Sequence, residues 1–159
     1  MLGPFAVGKT SLVRRFVKSI YSDVYQTTIG VKIDKKMIQV GSQGVTMVLW
    51  DIYGEDDYQK MHWSYLRGAS GYLLVADGTR RTTLEKAIAL EQTARQEVGL
   101  LPLVFVMNKC DLADDWDLDP DWESRLSTFG WPIICSSAKT GAGVEEAFLC
   151  LAQKVLDQR

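Results

Sequence analysis

One histidine, three cysteines and four prolines are all that these residue types contribute to 159 residues. The cysteines Cys110, Cys135 and Cys150 are odd in number and far apart, with no Cys-x-x-Cys pair, so neither a disulfide framework nor a structural zinc site is suggested. Each sits in an apolar stretch and reads most simply as a small buried residue. The lone His62, beside Trp63, has no Ser or Cys nucleophile to serve and reads as a surface or partner contact rather than a catalytic base. An excess of one charge is also missing. Lys and Arg number 18 against 20 Asp and Glu, a net charge of −2, which gives no bulk attraction to nucleic acid or to an anionic membrane. No apolar run approaches the ~18–20 residues of a spanning helix. Residues 1–10 are broken by Gly and Pro and carry Lys9 where a signal peptide needs an apolar stretch. No cysteine lies near the end, so no lipid anchor is expected in this chain, and the expected location is cytoplasmic. With 47% hydrophobic and 24% charged residues, the composition is that of an ordinary globular protein, and the length suits a single domain over residues 1–159.

The apolar pattern changes period repeatedly. Residues 45–50, 71–76, 101–107 and 132–135 are short runs rich in Val, Leu and Ile, as in strands buried on both faces of a parallel sheet. Residues 32–40 alternate, with Ile33, Lys35, Met37 and Gln39 opposed to Lys36, Ile38 and Val40. They predict a half-exposed edge strand that turns at residues 41–44 and returns as 45–50. Helical spacing covers 10–19, 83–98 and 143–156. Asp119-Pro120 offers an N-cap followed by proline at the first helical position, opening a short helix through Ser127. Strands alternating with helices predict an α/β sandwich.

The motif with the clearest chemistry is Gly3-Pro4-Phe5-Ala6-Val7-Gly8-Lys9-Thr10, which fits G-x-x-x-x-G-K-[ST]. A loop that curls its N–H groups around a phosphate needs glycine where a Cβ would collide, and the helix that follows adds partial positive charge. Lys9 then bridges the outer phosphates, and the Thr10 hydroxyl can ligate Mg²⁺. This loop alone leaves ATP and GTP open. Asn108-Lys109-Cys110-Asp111 bears on that choice, because it follows a buried run at the carboxyl edge where open α/β sheets hold ligands. A carboxylate at Asp111 can accept hydrogen bonds from the N1–H and 2-amino group of guanine. Adenine has neither donor, and such mismatched polar groups discriminate strongly. Ser136-Ser137-Ala138-Lys139 follows the last strand, where backbone N–H groups could reach the guanine O6.

With these motifs in this order, the chain resembles a small GTPase of the Ras superfamily. Thr27-Thr28-Ile29-Gly30-Val31 with Trp50-Asp51 makes it most similar to the Rab-like branch. The resemblance implies a P-loop GTPase fold: an α/β sandwich around a mostly parallel sheet with one antiparallel edge hairpin. It implies GTP or GDP with Mg²⁺ as ligands, bound by Gly3, Ala6, Val7, Gly8, Lys9, Thr10 and Ser11 at the phosphates. Asn108, Lys109, Asp111, Ser137, Ala138 and Lys139 would take the base. By the same resemblance Tyr21 stacks on the guanine, Tyr25 folds over the phosphates, and Thr28 binds the metal and senses the γ-phosphate. Asp51 holds the ion through water, and Gly54 gives its N–H to the γ-phosphate. The spacing from Thr10 to Thr28 and Asp51 matches the family to within a residue. Segments 21–32 and 51–67 would be the switches, ordered by the γ-phosphate and read by effector and regulatory proteins. Trp50, Trp63 and Tyr65 lie in or beside them and suit either a partner surface or the core.

The departures from the family pattern are specific. Where Thr-Ala-Gly-Gln is usual, the chain has Ile52-Tyr53-Gly54-Glu55. Glu55 keeps an oxygen to orient water but loses the NH₂ donor and adds negative charge beside a phosphate. Slow intrinsic GTP hydrolysis is expected. Phe5 and Pro4 replace small loop residues, and a phenyl ring there could obstruct the attacking water or an incoming arginine. Only Met1 and Leu2 precede Gly3, where the family places a central buried strand. Without it, neighbouring strands keep unpaired groups, each costing ~1–3 kcal/mol if buried, and a void is left in the core. A shortened copy of the sequence and a natural short form with impaired nucleotide binding both fit. The rival functions are a pseudo-GTPase that holds nucleotide without cycling, and a P-loop ATPase or kinase, against which Asp111 argues. Alternating acids at 115–119 lack the glycine and closing glutamate of a calcium loop. They read as a solvated turn, as do the basic pairs Arg14-Arg15, Lys35-Lys36 and Arg80-Arg81.

Overall fold

The unbroken apolar runs at 71–76 and 101–107 become strands with no exposed residue. Those at 45–50 and 132–135 are not buried on both faces, since Thr46, Val48, Trp50 and Cys135 are exposed. In the computed structural model, which describes residues 1–24, 28–52 and 63–158, β3 (Tyr72–Asp77) and β4 (Leu103–Asn108) are buried throughout. With β5 (Ile133–Ser136) they form a parallel sheet in the order β3-β4-β5. Alternate side chains leave opposite faces of a strand, so each strand feeds two cores. Leu73, Val75, Val104 and Val106 meet α1 (Lys9–Lys18) and α4 (Val144–Asp157). Leu74, Ala76, Phe105 and Met107 meet α2 (Arg81–Val98) and α3 (Trp122–Ser127). The helix–sheet–helix sandwich follows from that alternation.

Phe16 and Phe148 join α1 to α4, their rings stacked with centroids 3.9 Å apart and each at most 2% exposed. Phe148→Ala should therefore cost ~3–5 kcal/mol of unfolding free energy in urea titrations. A loss below about 1 kcal/mol would show that the ring pair does not hold these helices.

The hairpin consists of β1 (Val31–Val40) and β2 (Gln43–Ile52), antiparallel, with Val40 opposite Gln43. Its turn is the pair Gly41-Ser42, with Gly41 at φ +59°, and not the whole of 41–44. A two-residue turn keeps the strand twist, and so extends the ladder further than the apolar run at 45–50 indicates. Ile33, Lys35, Met37 and Gln39 lie on the exposed face, as the alternation requires.

The sheet is not continuous. β1–β2 and β3-β4-β5 are separate ladders among the described residues, and residues 1–2 hydrogen-bond to both. The Met1 nitrogen donates to Trp50 O (2.7 Å). Leu2 N donates to Leu73 O and Val75 N to Leu2 O (both 2.8 Å), a parallel bridge to β3. Met1 joins one core and Leu2 the other, so the two residues alternate as a strand does. Beyond them, a groove of about 350 Å³ separates residues 45–50 of β2 from Gly71 and is floored by Leu151 and Val155 of α4.

Several expectations need correction. Asp119-Pro120 does not open α3; the helix begins at Trp122 with Asp121 at its N-cap. Asp119 instead turns the chain, its carbonyl accepting from Trp122 N (3.0 Å), while its carboxylate is held by Arg81 (3.0 Å) and Arg125 (3.7 Å). No cysteine is fully buried: Cys110 and Cys150 are intermediate and Cys135 is exposed. Cys135 lies on the same face of the edge strand β5 as Ile133, which is itself only partly buried. The basic pairs are not merely solvated. Lys36 donates to Phe16 O (2.6 Å), pairs with Glu145 (3.2 Å) and lies over the Phe16 ring.

Candidate functional site

The loop before α1 is shaped by left-handed backbone at Gly3, Ala6 (φ +57°) and Gly8 (φ +101°). Successive N–H groups in such a turn converge to form an anion-binding concavity. Gly8 is the N-cap of α1 and supplies no side-chain hydrogen bond, so the first N–H groups of the helix, at Lys9, Thr10 and Ser11, are left to a ligand. A Cβ at Gly8 would run into the Asn108 amide, so only glycine fits. The Lys9 ammonium, 7% exposed, is drawn back over the loop and donates to Gly3 O (2.7 Å) and Pro4 O (2.8 Å).

Asn108 ends β4 and is buried. Its Nδ2 donates to Val7 O (2.9 Å), and its Oδ1 accepts from Ala138 N (3.3 Å) and Ser136 Oγ (3.2 Å). One amide thus ties the phosphate loop to the segment after β5. Asp111 lies in the short 3-10 turn at Cys110–Asp115, an element without a periodic signal of its own. Ser137 Oγ donates to Asp111 Oδ1 (2.6 Å), which orients the carboxylate. Arg15 donates Nε to Ala138 O (2.7 Å) and Nη2 to Lys139 O, so this cation of α1 clamps the Ser137–Lys139 loop rather than facing solvent. Tyr21 packs against the α1–α4 core. Burial, then the neighbouring Asp23 and Asp111, push its phenol above the usual range, with Arg15 opposing them.

At the other end, three oxygen-bearing side chains meet. Thr10 Oγ1 lies 2.6 Å from Thr28 Oγ1 and donates to Asp51 Oδ2 at 2.6 Å. Asp51 is 1% exposed, and its Oδ1 has no hydrogen-bond partner among the described residues. A buried acceptor left so costs ~1–3 kcal/mol, and hard divalent cations take oxygen ligands. The residues present therefore fit Mg²⁺. Tyr25, Gly54, Glu55 and His62 lie outside the described residues.

Sequence reasoning missed Arg15, Asp77 and Arg80, and did not foresee that the Ser136 hydroxyl donates to Asn108. Asp77 had a signal: it is an acid ending a fully buried strand at the carboxyl edge of the sheet. Burial, the largest influence, pushes its carboxyl up. Donation from Lys109 (2.7 Å), Thr79 (2.7 Å) and Arg80 (2.9 Å) outweighs it and holds the group below its ordinary value of 3.8. A lowered carboxylate stabilises the fold above its unfolded value, and that contribution is lost as pH falls through the folded value. Asp77→Asn should accordingly reduce stability at neutral pH and flatten the loss of stability on acidification below about pH 4. Denaturant midpoints across the acid range check this, and parallel curves for the two proteins would contradict it.

A glycine-punctuated loop at a helix N-terminus, an acid at the sheet's carboxyl edge and a buried oxygen cluster together define a P-loop nucleotide-binding domain. The family profile for the Ras family matches residues 1–157, and the chain belongs to that family. Its members are guanine-nucleotide-binding switch proteins and GTPases. Among the described residues no helix is long and apolar enough to cross a membrane.

Proposed function

We propose that this chain, as a single G domain over residues 1–159, is a guanine-nucleotide switch of the Rab-like branch. It binds GTP or GDP with Mg²⁺, hydrolyses GTP slowly and changes its affinity for effector and regulatory proteins. The observation that carries most weight is Asn108, which fastens Val7 of the phosphate loop to Ala138 of the base-side loop. One nucleotide can then be held at both ends. The Lys9 ammonium and the loop N–H groups would take the phosphates, and Asp111, aimed by Ser137, would take the guanine edge. Thr10, Thr28 and Asp51 would hold Mg²⁺, which supplies charge neutralisation at the outer phosphates. The hairpin's exposed Ile33 and Trp50, opposite one another across β1 and β2, with Tyr65 beside Trp50, offer partners an apolar surface. Differential partner affinity for the two nucleotide states is the only way such a switch can act, and the cytoplasm is the proposed setting.

Nucleotide content tests this directly. Purified protein should release GDP or GTP on denaturation, and bound labelled GDP should be displaced by GTP but not by ATP. Protein that is folded, binds no guanine nucleotide with Mg²⁺ present and takes up none would refute the proposal. A pseudo-GTPase that retains nucleotide without cycling is the second reading, favoured by Glu55 and by Phe5 in the loop. It predicts retained GTP with no turnover, and equal partner affinity in both nucleotide states.

A further inference from the structure

The loop between β3 and α2 belongs to none of the nucleotide motifs, yet it touches two of them. Arg80, at the N-cap of α2, donates Nε to Asp77 Oδ2 (2.9 Å) and Nη2 to the carbonyl of Phe5 in the phosphate loop (3.1 Å). The same Asp77 oxygen receives Lys109 Nζ (2.7 Å) from the base-side motif, and Asp77 Oδ1 receives both N and Oγ1 of Thr79. The Asp77 side chain is 0% exposed, so its charge is fixed where these donors converge. The far side is fastened as well. Trp116 Nε1 donates to Lys109 O (3.1 Å), and its indole lies where a Cβ on Gly78 would be. Asp117 N donates to Gly78 O (3.0 Å).

The contact at Phe5 has a consequence for phosphate binding. A trans peptide is planar, so its C=O and N–H point in opposite directions. Holding the Phe5 carbonyl outward toward Arg80 therefore turns the N–H of Ala6 inward. Ala6 itself is left-handed at φ +57°, a conformation that a residue with a Cβ keeps only when its surroundings enforce it. Arg80 is such a constraint, and its own guanidinium is oriented by Asp77.

We propose that Arg80 is a positioning residue that slows nucleotide release, by locking the Phe5–Ala6 peptide with its N–H toward the phosphates and coupling that loop through Asp77 to Lys109. This rests on the guanine-nucleotide function proposed above. Removing the guanidinium frees the peptide to flip and takes one donor from the bound phosphate. The association step is limited by encounter and is little affected.

The test follows release of a fluorescent GDP analogue, chased with excess GDP in the presence of Mg²⁺, together with its association rate. Arg80→Ala should speed release about tenfold with association unchanged, while Arg80→Lys, which can still donate to the Phe5 carbonyl, should recover most of that loss. Arg125→Ala, which cuts exposed pairs with Glu85 and Asp119 away from the phosphate loop, should match the unsubstituted protein. If the unsubstituted protein binds GDP but Arg80→Ala releases it at the same rate, the positioning role is wrong. It is equally wrong if Ala and Lys are alike in release and both lower the melting temperature of nucleotide-free protein to the same extent, because that is a purely structural contribution. Failure of the unsubstituted protein to bind GDP at all would overturn the guanine-nucleotide function, and this proposal with it.

Discussion

Asp111→Ala should weaken GDP binding ~10²–10³-fold, the equivalent of about 3–4 kcal/mol. A guanine presents N1–H and a 2-amino group side by side, and hydrogen bonds to a charged acceptor are worth ~1.5–3 kcal/mol each. The carboxylate is already aimed, because Ser137 Oγ holds Oδ1 at 2.6 Å, so little ordering cost is left to binding. The substitution should leave the fold intact, since Asn108, not Asp111, ties the phosphate loop to the loop after β5. Calorimetry with GDP and Mg²⁺ measures the loss, and ATP competition measures the selectivity. An affinity within threefold of the starting protein would remove Asp111 from base recognition.

Glu55→Gln should raise single-turnover GTP hydrolysis ~10²–10³-fold, which corresponds to ~3–4 kcal/mol of barrier. In the proposed role, the carboxylate would orient a water but could not donate to the phosphoryl group, and its charge would oppose that of the phosphate. The amide removes both handicaps at nearly constant volume. GDP affinity should hardly change, because the difference lies in the transition state and not in the bound ground state. If the substituted protein is no faster, Glu55 is not what limits turnover, and the ring of Phe5 becomes the obstruction to remove next.

Much of the architecture could be read from residue periodicity. The buried runs at 71–76 and 101–107 predicted strands covered on both faces, and β3 and β4 have that form because a fully apolar segment has no face to give to water. The alternation at 32–40 predicted an edge strand for the converse reason. Elements governed by local turn chemistry were less legible. The 3-10 turn at Cys110–Asp115 is too short to carry a period, and the start of α3 was misplaced. Asp119 looks like a cap in isolation, but it is claimed by Arg81 from another helix. Position in a strand likewise decided the cysteines, whose apolar neighbours promised burial that the place of Cys135 on the edge strand denied.

The candidate site divides in the same way. Its phosphate loop and Asn108-Lys109-x-Asp111 were visible because their geometry is set by a few contiguous residues, glycines above all. Arg15, Asp77 and Arg80 were not, since each acts on a partner more than thirty residues away: Arg15 on Ala138, Asp77 on Lys109, Arg80 on Phe5. The basic pairs containing these arginines read as solvated faces, and nothing local distinguishes a cation facing water from one that clamps a loop.

By itself the sequence determined that this is an α/β nucleotide-binding chain of the Ras type, because burial patterns and glycine-dependent loops are properties of short segments. Only the tertiary structure decided how the loops are tied together, and how residues 1–2 hydrogen-bond to both ladders. Hydrogen bonds and ion pairs between distant segments depend on where the packed cores bring them, and no local pattern encodes that.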